Sequence, residues 1–270
     1  MFTSILFCFF YLCIVMRYSV TLSYDGSGFS GWQIQPNADS VQEALERALS
    51  LALREPVSVT GAGRTDAGVN AIGYVAHFDA SQPFREEELS CKLNAILPVS
   101  VIIHEVKIVP EDFHARFDAR LRRYNYFIHR RKDPFAGKYS YLYTYPLDVD
   151  AMNMACQYLL GEHDFSCFEK SGGNSKTSIC TISEAFWKPY TPAHAGIMEY
   201  PCKDGDYLVF TVSANRFLRN MVRAIVGTLL DIGRGRYPVS HMQEVLTSGN
   251  RSAAGESVPG HALFLSKVEY

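Results

Sequence analysis

The stretch "SVQEALERALSLALREPVSVTGAG", residues 40–63, contains a helix signal followed directly by a strand signal. Ser40 and Glu43 form a capping box, in which the two side chains satisfy backbone N–H groups at the start of a helix. The apolar residues that follow recur at the spacing of one helical face, and they are Val41, Ala44, Leu45, Ala48 and Leu49. We therefore predict a helix that begins after Ser40 and a strand within residues 57–63.

Further strand and helix signals surround this stretch. Residues 17–24, "RYSVTLSY", alternate like a half-buried strand, and residues 73–80 and 101–109 provide two more strand candidates. Residues 85–97 have the pattern of a helix. The resulting order is β-α-β-β-α-β, which is that of ferredoxin-like folds and RNA-recognition modules.

The second half of the chain repeats this order more loosely. Strands are predicted in residues 122–130, 177–188, 206–214 and 261–270, and helices in residues 148–160, 216–232 and 240–248. Residues 188–205 are rich in proline and glycine, so we interpret them as an extended hairpin connection. We predict an α+β fold of two ferredoxin-like units, residues 16–112 and 113–270, with antiparallel sheets side by side and a central cleft for a ligand.

The composition restricts the class of protein and of partner. The chain has 270 residues, of which 47% are hydrophobic and 20% charged, as expected for a globular protein with a buried core. Its formal charge of −2 excludes a globally basic nucleic-acid binder. A polyanion would therefore need a local basic surface. The strongest concentration of cations comprises Arg116, Arg120, Arg122, Arg123, Arg130, Arg131 and Lys132.

Cysteine and histidine usage predicts neither a disulfide framework nor a metal site. The seven cysteines include no C-x-x-C pair, which also argues against a zinc knuckle. The histidines do not recur at the spacing of metal ligands, and we interpret them as structural. A reducing, cytoplasmic location is expected.

Residues 1–16, "MFTSILFCFFYLCIVM", carry no charge. The run is shorter than the roughly 20 residues of a membrane-spanning helix, and it lacks a basic start and a clear cleavage site. We interpret residues 1–15 as a non-native or unstructured extension and expect no membrane association. A membrane anchor is the alternative.

The segment "GAGRTDAGVNA", residues 61–71, places Asp66 two residues after Arg64 in a glycine-rich loop. The loop lacks the spacing of both common nucleotide-phosphate motifs, so nucleotide hydrolysis is not expected. From local chemistry alone, Asp66 is a turn residue that caps backbone amides, with Gly68 at positive φ. A catalytic carboxylate is the alternative.

Six blocks together carry a resemblance to a known family. They are residues 24–37, 61–71, 113–126, 161–172, 215–235 and 261–270. In order and spacing they resemble the tRNA pseudouridine synthase A (TruA) family, and the resemblance extends from Arg17 to Tyr270. It implies an isomerase that converts uridine to pseudouridine in the anticodon stem-loop of tRNA, at the positions the family name gives as 38 to 40. It also implies a homodimer, and neither a cofactor nor a metal.

The resemblance assigns roles to individual residues. Asp66 corresponds to the catalytic nucleophile, Arg64 to the active-site arginine before it, and Tyr124 to the tyrosine that stacks on the base. Arg223 is similar to the basic residue that pairs with the aspartate, and Leu263 to the apolar residue that packs against the target base.

Two further arginines are predicted to bind substrate. Arg219 follows Arg216 by three residues and precedes Arg223 by four, so the three would share one side of the predicted helix and Arg219 would face RNA phosphates or solvent. Arg123 belongs to the basic run around Tyr124. Asn70 stands where many relatives have histidine, which leaves the geometry of the nearby loop open.

The chemistry is consistent with these residue types. A carboxylate with a reference pKa of roughly 3.9 is ionised at neutral pH and needs no partner base. The target uridine must leave its base stack, which is unfavourable, and stacking on an aromatic side chain in the site offsets part of that free energy. Without the resemblance, Tyr124 and Tyr126 are ordinary strand tyrosines; with it, we assign function to Tyr124 alone. The alternative function is a non-catalytic RNA-binding protein of two recognition modules, although their aromatic strand signature is absent from the sequence.

Overall fold

The computed structural model describes residues 15–170, 172 and 177–270. The predictions for residues 1–14 therefore lie outside the described residues. Within the described ranges, no helix is long and apolar enough to cross a membrane.

The N-terminal half has the predicted order of elements. They are β1 (Met16–Tyr24), α1 (Val41–Leu53), β2 (Val59–Gly61), β3 (Asn70–Ala80), α2 (Glu86–Ile96) and β4 (Val101–Ile108). The Ser40 side chain accepts a hydrogen bond from the Glu43 N–H at 3.3 Å, which confirms the predicted N-cap of α1. Leu45 and Leu49, on the predicted apolar face, are fully buried.

The C-terminal half contains the predicted elements and three short additional ones. The strands are β5 (Leu121–His129), β6 (Tyr141–Leu142), β7 (Gly161–Asp164), β8 (Ile179–Pro189), β9 (Tyr207–Ala214) and β10 (Leu263–Glu269). The helices are α3 (Val149–Cys156), α4 (Ala193–Ile197), α5 (Met221–Gly233) and α6 (His241–Ser248). Strands β6 and β7 and helix α4 are too short to produce a periodic pattern. Helix α4 lies in the segment that was predicted to be an extended connection.

Helix α5 begins later than predicted, at Met221 rather than near Arg216. Asn220 has a φ of 65°, in the left-handed region, so the chain turns there before it enters the helix. The carbonyl of Arg219 consequently accepts a hydrogen bond from the Lys170 N–H at 3.0 Å. Arg216 and Arg219 therefore precede the helix, and the predicted stripe of three arginines on one helical side is wrong.

Ten strands of the described residues form one sheet in the order β4-β1-β3-β10-β5-β9-β8-β7, with β2 paired to β3 and β6 to β5. Strand β10 joins the two halves, because it runs parallel to β3 on one side and antiparallel to β5 on the other. Its register places Phe264 opposite Asn70 and Leu265 opposite Ala71. The strands of both predicted units thus belong to one continuous mixed sheet.

Helix α5 is buried almost all round, and Arg223 is one of its two residues that are not buried, the other being Asp231. Strand β5 alternates in the manner of a half-buried strand, with Tyr124, Tyr126 and Ile128 on its buried face. A cation on so apolar a helix requires a partner, because an unpaired charge is costly to bury.

Candidate active site

The loop that carries Asp66 connects β2 to β3 and is held on both sides by backbone contacts. The Trp32 N–H donates to the Thr65 carbonyl at 3.2 Å, and the Gly68 N–H donates to the Phe29 carbonyl at 3.3 Å. The hydroxyls of Tyr24 and Thr65 share a hydrogen bond at 2.9 Å. The backbone on either side of Asp66 is therefore fixed before any substrate binds.

Glycine allows the neighbouring chain to lie directly against this loop. Gly31 has a φ of +103°, and a Cβ atom there would overlap the Thr65 carbonyl oxygen. Gly68 has a φ of +75°, as the sequence predicted. Both positions require glycine because side chains with a Cβ atom disfavour positive φ.

The Asp66 carboxylate forms an ion pair with Arg223, which lies 157 residues later in α5. The distance from Arg223 Nη1 to Asp66 Oδ2 is 3.2 Å, and Arg223 Nε donates to the Val258 carbonyl at 2.7 Å. The side chains of Arg223 and Asp66 are 21% and 25% exposed, so the pair is partly shielded from water but open to a ligand. In the described residues the carboxylate pairs with this guanidinium and not, as the turn interpretation predicted, with backbone amides.

Tyr124 lies on the buried face of β5, with 9% of its surface exposed. Its ring packs edge-to-face on Phe217, with centroids 5.1 Å apart and planes at 88°. Burial raises the pKa of Tyr124 well above its ordinary value; the positive charge of Arg122 opposes this shift and the negative charge of Asp66 adds to it. The hydroxyl is therefore neutral at physiological pH and lies within the electrostatic reach of both charges.

Leu263 is the first residue of β10 and is buried opposite Tyr126 in the ladder with β5. The next residue on the same face, Leu265, is opposite Tyr124. The Tyr126 hydroxyl donates to the Pro259 carbonyl at 3.0 Å. Leu263 and Tyr126 thus form a wall on the face that carries Tyr124.

Arg122, one of the cations of the basic run around Tyr124, is a further residue of this region, and no role was predicted for it alone. Its Nη2 donates to the carbonyls of Ala62 at 2.9 Å and Arg116 at 2.6 Å, and its Nη1 to those of Ala119 at 2.8 Å and Asn215 at 2.7 Å. Four carbonyls from three segments, one of which is the start of the Asp66 loop, therefore converge on one guanidinium. The available signal was its position two residues before Tyr124, which places a cation on the buried face of a strand.

Asn70 is a second residue whose position the sequence did not explain. It is buried, its Nδ2 donates to the His261 carbonyl at 2.7 Å, and its Oδ1 accepts from the Gly26 N–H at 2.8 Å. The amide thus ties the loop after β1 to the segment that precedes Leu263.

Three predicted site residues do not join this cluster. Arg64 is exposed and lines a pocket of about 200 Å³ together with Arg116. Arg123 points to the opposite face of β5, where it donates to Ser213 Oγ at 3.0 Å and to Glu184 Oε2 at 2.8 Å. Arg219 is exposed in the turn before α5. A larger pocket, of about 410 Å³ between the ends of α1 and α2, shares no residue with the cluster.

No group of three or more histidine, cysteine, aspartate or glutamate side chains in the described part of the chain is arranged to hold a metal ion. The cysteines in those ranges are free thiols, at positions 91, 156, 167, 180 and 202.

The family model for tRNA pseudouridine synthase matches residues 21–118 and 155–270. The chain belongs to the tRNA pseudouridine synthase family. The resemblance inferred from six sequence blocks is thereby confirmed. Asp66, Arg64, Arg223 and Leu263 lie within the ranges matched to this synthase family, whereas Tyr124 and Arg122 lie between them.

Curated members of the synthase family are similar over nearly the whole chain. The tRNA pseudouridine synthase A of Parabacteroides distasonis is 45% identical over 94% of this chain and 96% of its own length. The protein of the same name from Bacteroides fragilis is 46% identical over 95% of this chain and 97% of its own length. That from Streptococcus thermophilus is 42% identical over 95% of this chain and its full length.

Proposed function

We propose that the protein isomerises uridine to pseudouridine in tRNA. The observation that carries this proposal is the Asp66 carboxylate, which is fixed by its loop, paired with Arg223 at 3.2 Å and placed near the buried ring of Tyr124 in a chain of this family. The reaction breaks the N1–C1′ bond of uridine and forms a C5–C1′ bond. The hydrogen at C5 is lost to solvent and N1 gains a proton, so atoms and electrons balance without a co-reactant.

Each residue of the cluster has a proposed part in this reaction. Asp66 is the nucleophile, either at C6 of the uracil ring or at C1′ of the sugar. Arg223 keeps its carboxylate oriented. Tyr124 stacks on the base that leaves the helix, and Leu263 packs against that base.

Two arginines outside the cluster are proposed to act on the RNA. Arg64 assists extrusion of the base or holds a phosphate, and Arg219 contacts a phosphate. Arg123 is left out of the proposed site because its guanidinium is paired with Glu184 on the opposite face of the sheet.

The finer expectations are part of the same proposal. They are a substrate uridine at positions 38 to 40 of the anticodon stem-loop, a homodimer of this chain, two ferredoxin-like units and a cytoplasmic location.

The proposal is tested with purified protein and an unmodified tRNA. Pseudouridine is mapped by chemical labelling and primer extension, and Asp66→Asn is compared with Asp39→Asn, which alters an exposed aspartate outside the cluster. We expect modification at positions 38 to 40, its loss in Asp66→Asn with tRNA affinity nearly unchanged, and normal modification by Asp39→Asn. Binding without any modification by the unaltered protein would favour the non-catalytic alternative, and full turnover by Asp66→Asn would disprove the role of its carboxylate.

A further inference from the structure

Phe117 is a large apolar side chain that is 75% exposed beside the Asp66 loop. The turn that presents it is rigid. The Ala115 N–H donates to His77 Nδ1 at 3.1 Å, the Ala115 carbonyl accepts from the Tyr270 hydroxyl at 2.8 Å, and the Phe117 N–H donates to His114 Nδ1 at 3.3 Å. The backbone of this turn therefore fixes the ring in an exposed position, although leaving its apolar area in water is unfavourable.

The position of this turn relative to the Asp66 loop is fixed by Arg122. A single nitrogen of that residue, Nη2, donates both to the Ala62 carbonyl in the loop and to the Arg116 carbonyl in the turn. Arg64 and Arg116 line the same pocket, together with Gln33 and Gln42. The exposed ring thus belongs to a surface that begins at the catalytic loop.

The charge of this surface identifies the kind of partner. Arg64 and Arg116 are both exposed, and the Arg116 guanidinium lies 5.7 Å from the centroid of the Phe117 ring. The nearby Asp118 carboxylate is engaged by the His114 N–H at 2.7 Å. An exposed flat ring on the same surface as two exposed arginines suits a nucleotide, because bases stack on aromatic side chains while arginines bind phosphates.

We infer that Phe117, Arg116 and Arg64 form a binding site for a nucleotide of the substrate RNA that flanks the target uridine, a surface we name the flanking-base site. The flanking base stacks on Phe117, and Arg116 and Arg64 hold the adjoining phosphates. The inference rests on the proposed function, because it takes RNA to be the partner.

The test measures equilibrium binding of a fluorescently labelled, unmodified tRNA at several salt concentrations. Phe117→Ala is expected to weaken binding by roughly five- to 150-fold, as for the loss of one stacked base, with the salt dependence unchanged. Arg116→Ala is expected to reduce the slope of log affinity against log salt by roughly 0.7 to 0.9. Phe135→Ala and Arg85→Ala are matched controls, because they remove an exposed ring and an exposed cation elsewhere on the surface, and both are expected to bind normally.

Two further variants distinguish stacking from folding. The Phe117 ring packs on the His114 ring, with centroids 4.2 Å apart. Phe117→Leu keeps an apolar side chain at that contact but has no aromatic face, and it is expected to bind as weakly as Phe117→Ala. Phe117→Trp is expected to bind as tightly as the unaltered protein. Normal binding by Phe117→Leu, or a change of oligomeric state in Phe117→Ala, would overturn the flanking-base site.

Because binding is read separately from isomerisation, failure of this inference differs from failure of the proposed function. A protein that modifies tRNA normally while Phe117→Leu binds normally contradicts the flanking-base site alone. A protein that never modifies tRNA, yet binds it in a Phe117-dependent way, contradicts the proposed reaction alone.

Discussion

Replacing Arg223 with methionine tests whether the Asp66 ion pair serves turnover. The substitution keeps an unbranched apolar stem but removes two hydrogen bonds, one to Asp66 Oδ2 at 3.2 Å and one to the Val258 carbonyl at 2.7 Å. Hydrogen bonds to charged groups contribute about 1.5–3 kcal/mol each. Asp66 is 25% exposed, so water replaces part of what its carboxylate loses.

If the bond to Asp66 is fully needed in the transition state, its loss lowers the rate by about ten- to 150-fold, at about 1.4 kcal/mol per factor of ten. Partial replacement by water favours the lower end of that range. Arg223→Lys keeps the positive charge, but a single ammonium lacks the fork that reaches both Asp66 and Val258. We therefore expect its rate to lie between those of the methionine variant and the unaltered protein.

The assay uses tRNA tritiated at C5 of uridine, because the reaction releases that hydrogen to water. Single-turnover rates are measured with excess protein, and tRNA affinity is measured separately. Arg236→Met is the matched control, since Arg236 forms an exposed pair with Asp231 at the end of the same helix and such pairs contribute little. Thermal unfolding confirms that each variant is folded at the assay temperature.

A rate for Arg223→Met within twofold of the unaltered protein would refute this reasoning. So would a variant whose tRNA affinity falls as much as its rate, because Arg223 would then act in binding rather than on Asp66.

Three further predictions concern the loop, pH and metal ions. Gly31→Ala is expected to lower both stability and turnover, because its Cβ atom would overlap the Thr65 carbonyl oxygen. Gly28→Ala is the control and is expected to change neither, because no atom lies near its added methyl. Equal effects of the two substitutions in denaturant unfolding and rate assays would contradict this. Burial lowers the pKa of His77 from 6.5 to about 4 in the folded protein. As the pH falls from 6.5 to 4, the unfolded chain therefore binds a proton at this histidine before the folded protein does. The free energy of unfolding is expected to fall by on the order of 3 kcal/mol over that interval. His77→Asn should show a flatter dependence of the unfolding midpoint over that interval, and an unchanged dependence would exclude His77 as its source. Isomerisation of a pre-folded stem-loop substrate is expected to survive exhaustive chelation, and inhibition by the chelator would reveal a metal role.

The elements that sequence patterns predicted correctly are those with a strong local signal. Helix α1 has a capped start at Ser40 and a regular apolar face, and β5 alternates from Arg123 to Ile128. The start of α5 was misplaced because Phe217 and Leu218 continue its apolar pattern toward the N-terminus, while the left-handed turn at Asn220 keeps them outside the helix, which begins at Met221. The pattern records which residues are apolar but not the φ angle of one asparagine.

One long-range contact could be predicted from the family resemblance, and others could not be predicted from the sequence. The pairing of Asp66 with Arg223 was expected by resemblance and is present as a contact, although no local pattern connects residues 157 positions apart. The convergence of four carbonyls on Arg122 had no sequence signature, because carbonyl groups are common to all residues. The insertion of β10 between β3 and β5 depends on a parallel register of two residue pairs, which is too short to predict.

The central place of β10 has a consequence for the order of synthesis. The ribosome makes residues 263–269 after every other strand described, yet they separate β3 from β5 in the finished sheet. Until they emerge, the facing edges of β3 and β5 expose unpaired backbone groups, which are prone to pair with other chains. A nascent chain interrupted before Leu263 should therefore hold Asp66 and Arg223 in halves that no strand yet connects. Translation to the final strand thus becomes a condition for assembling the site, and incomplete chains should be recognisable by their tendency to aggregate.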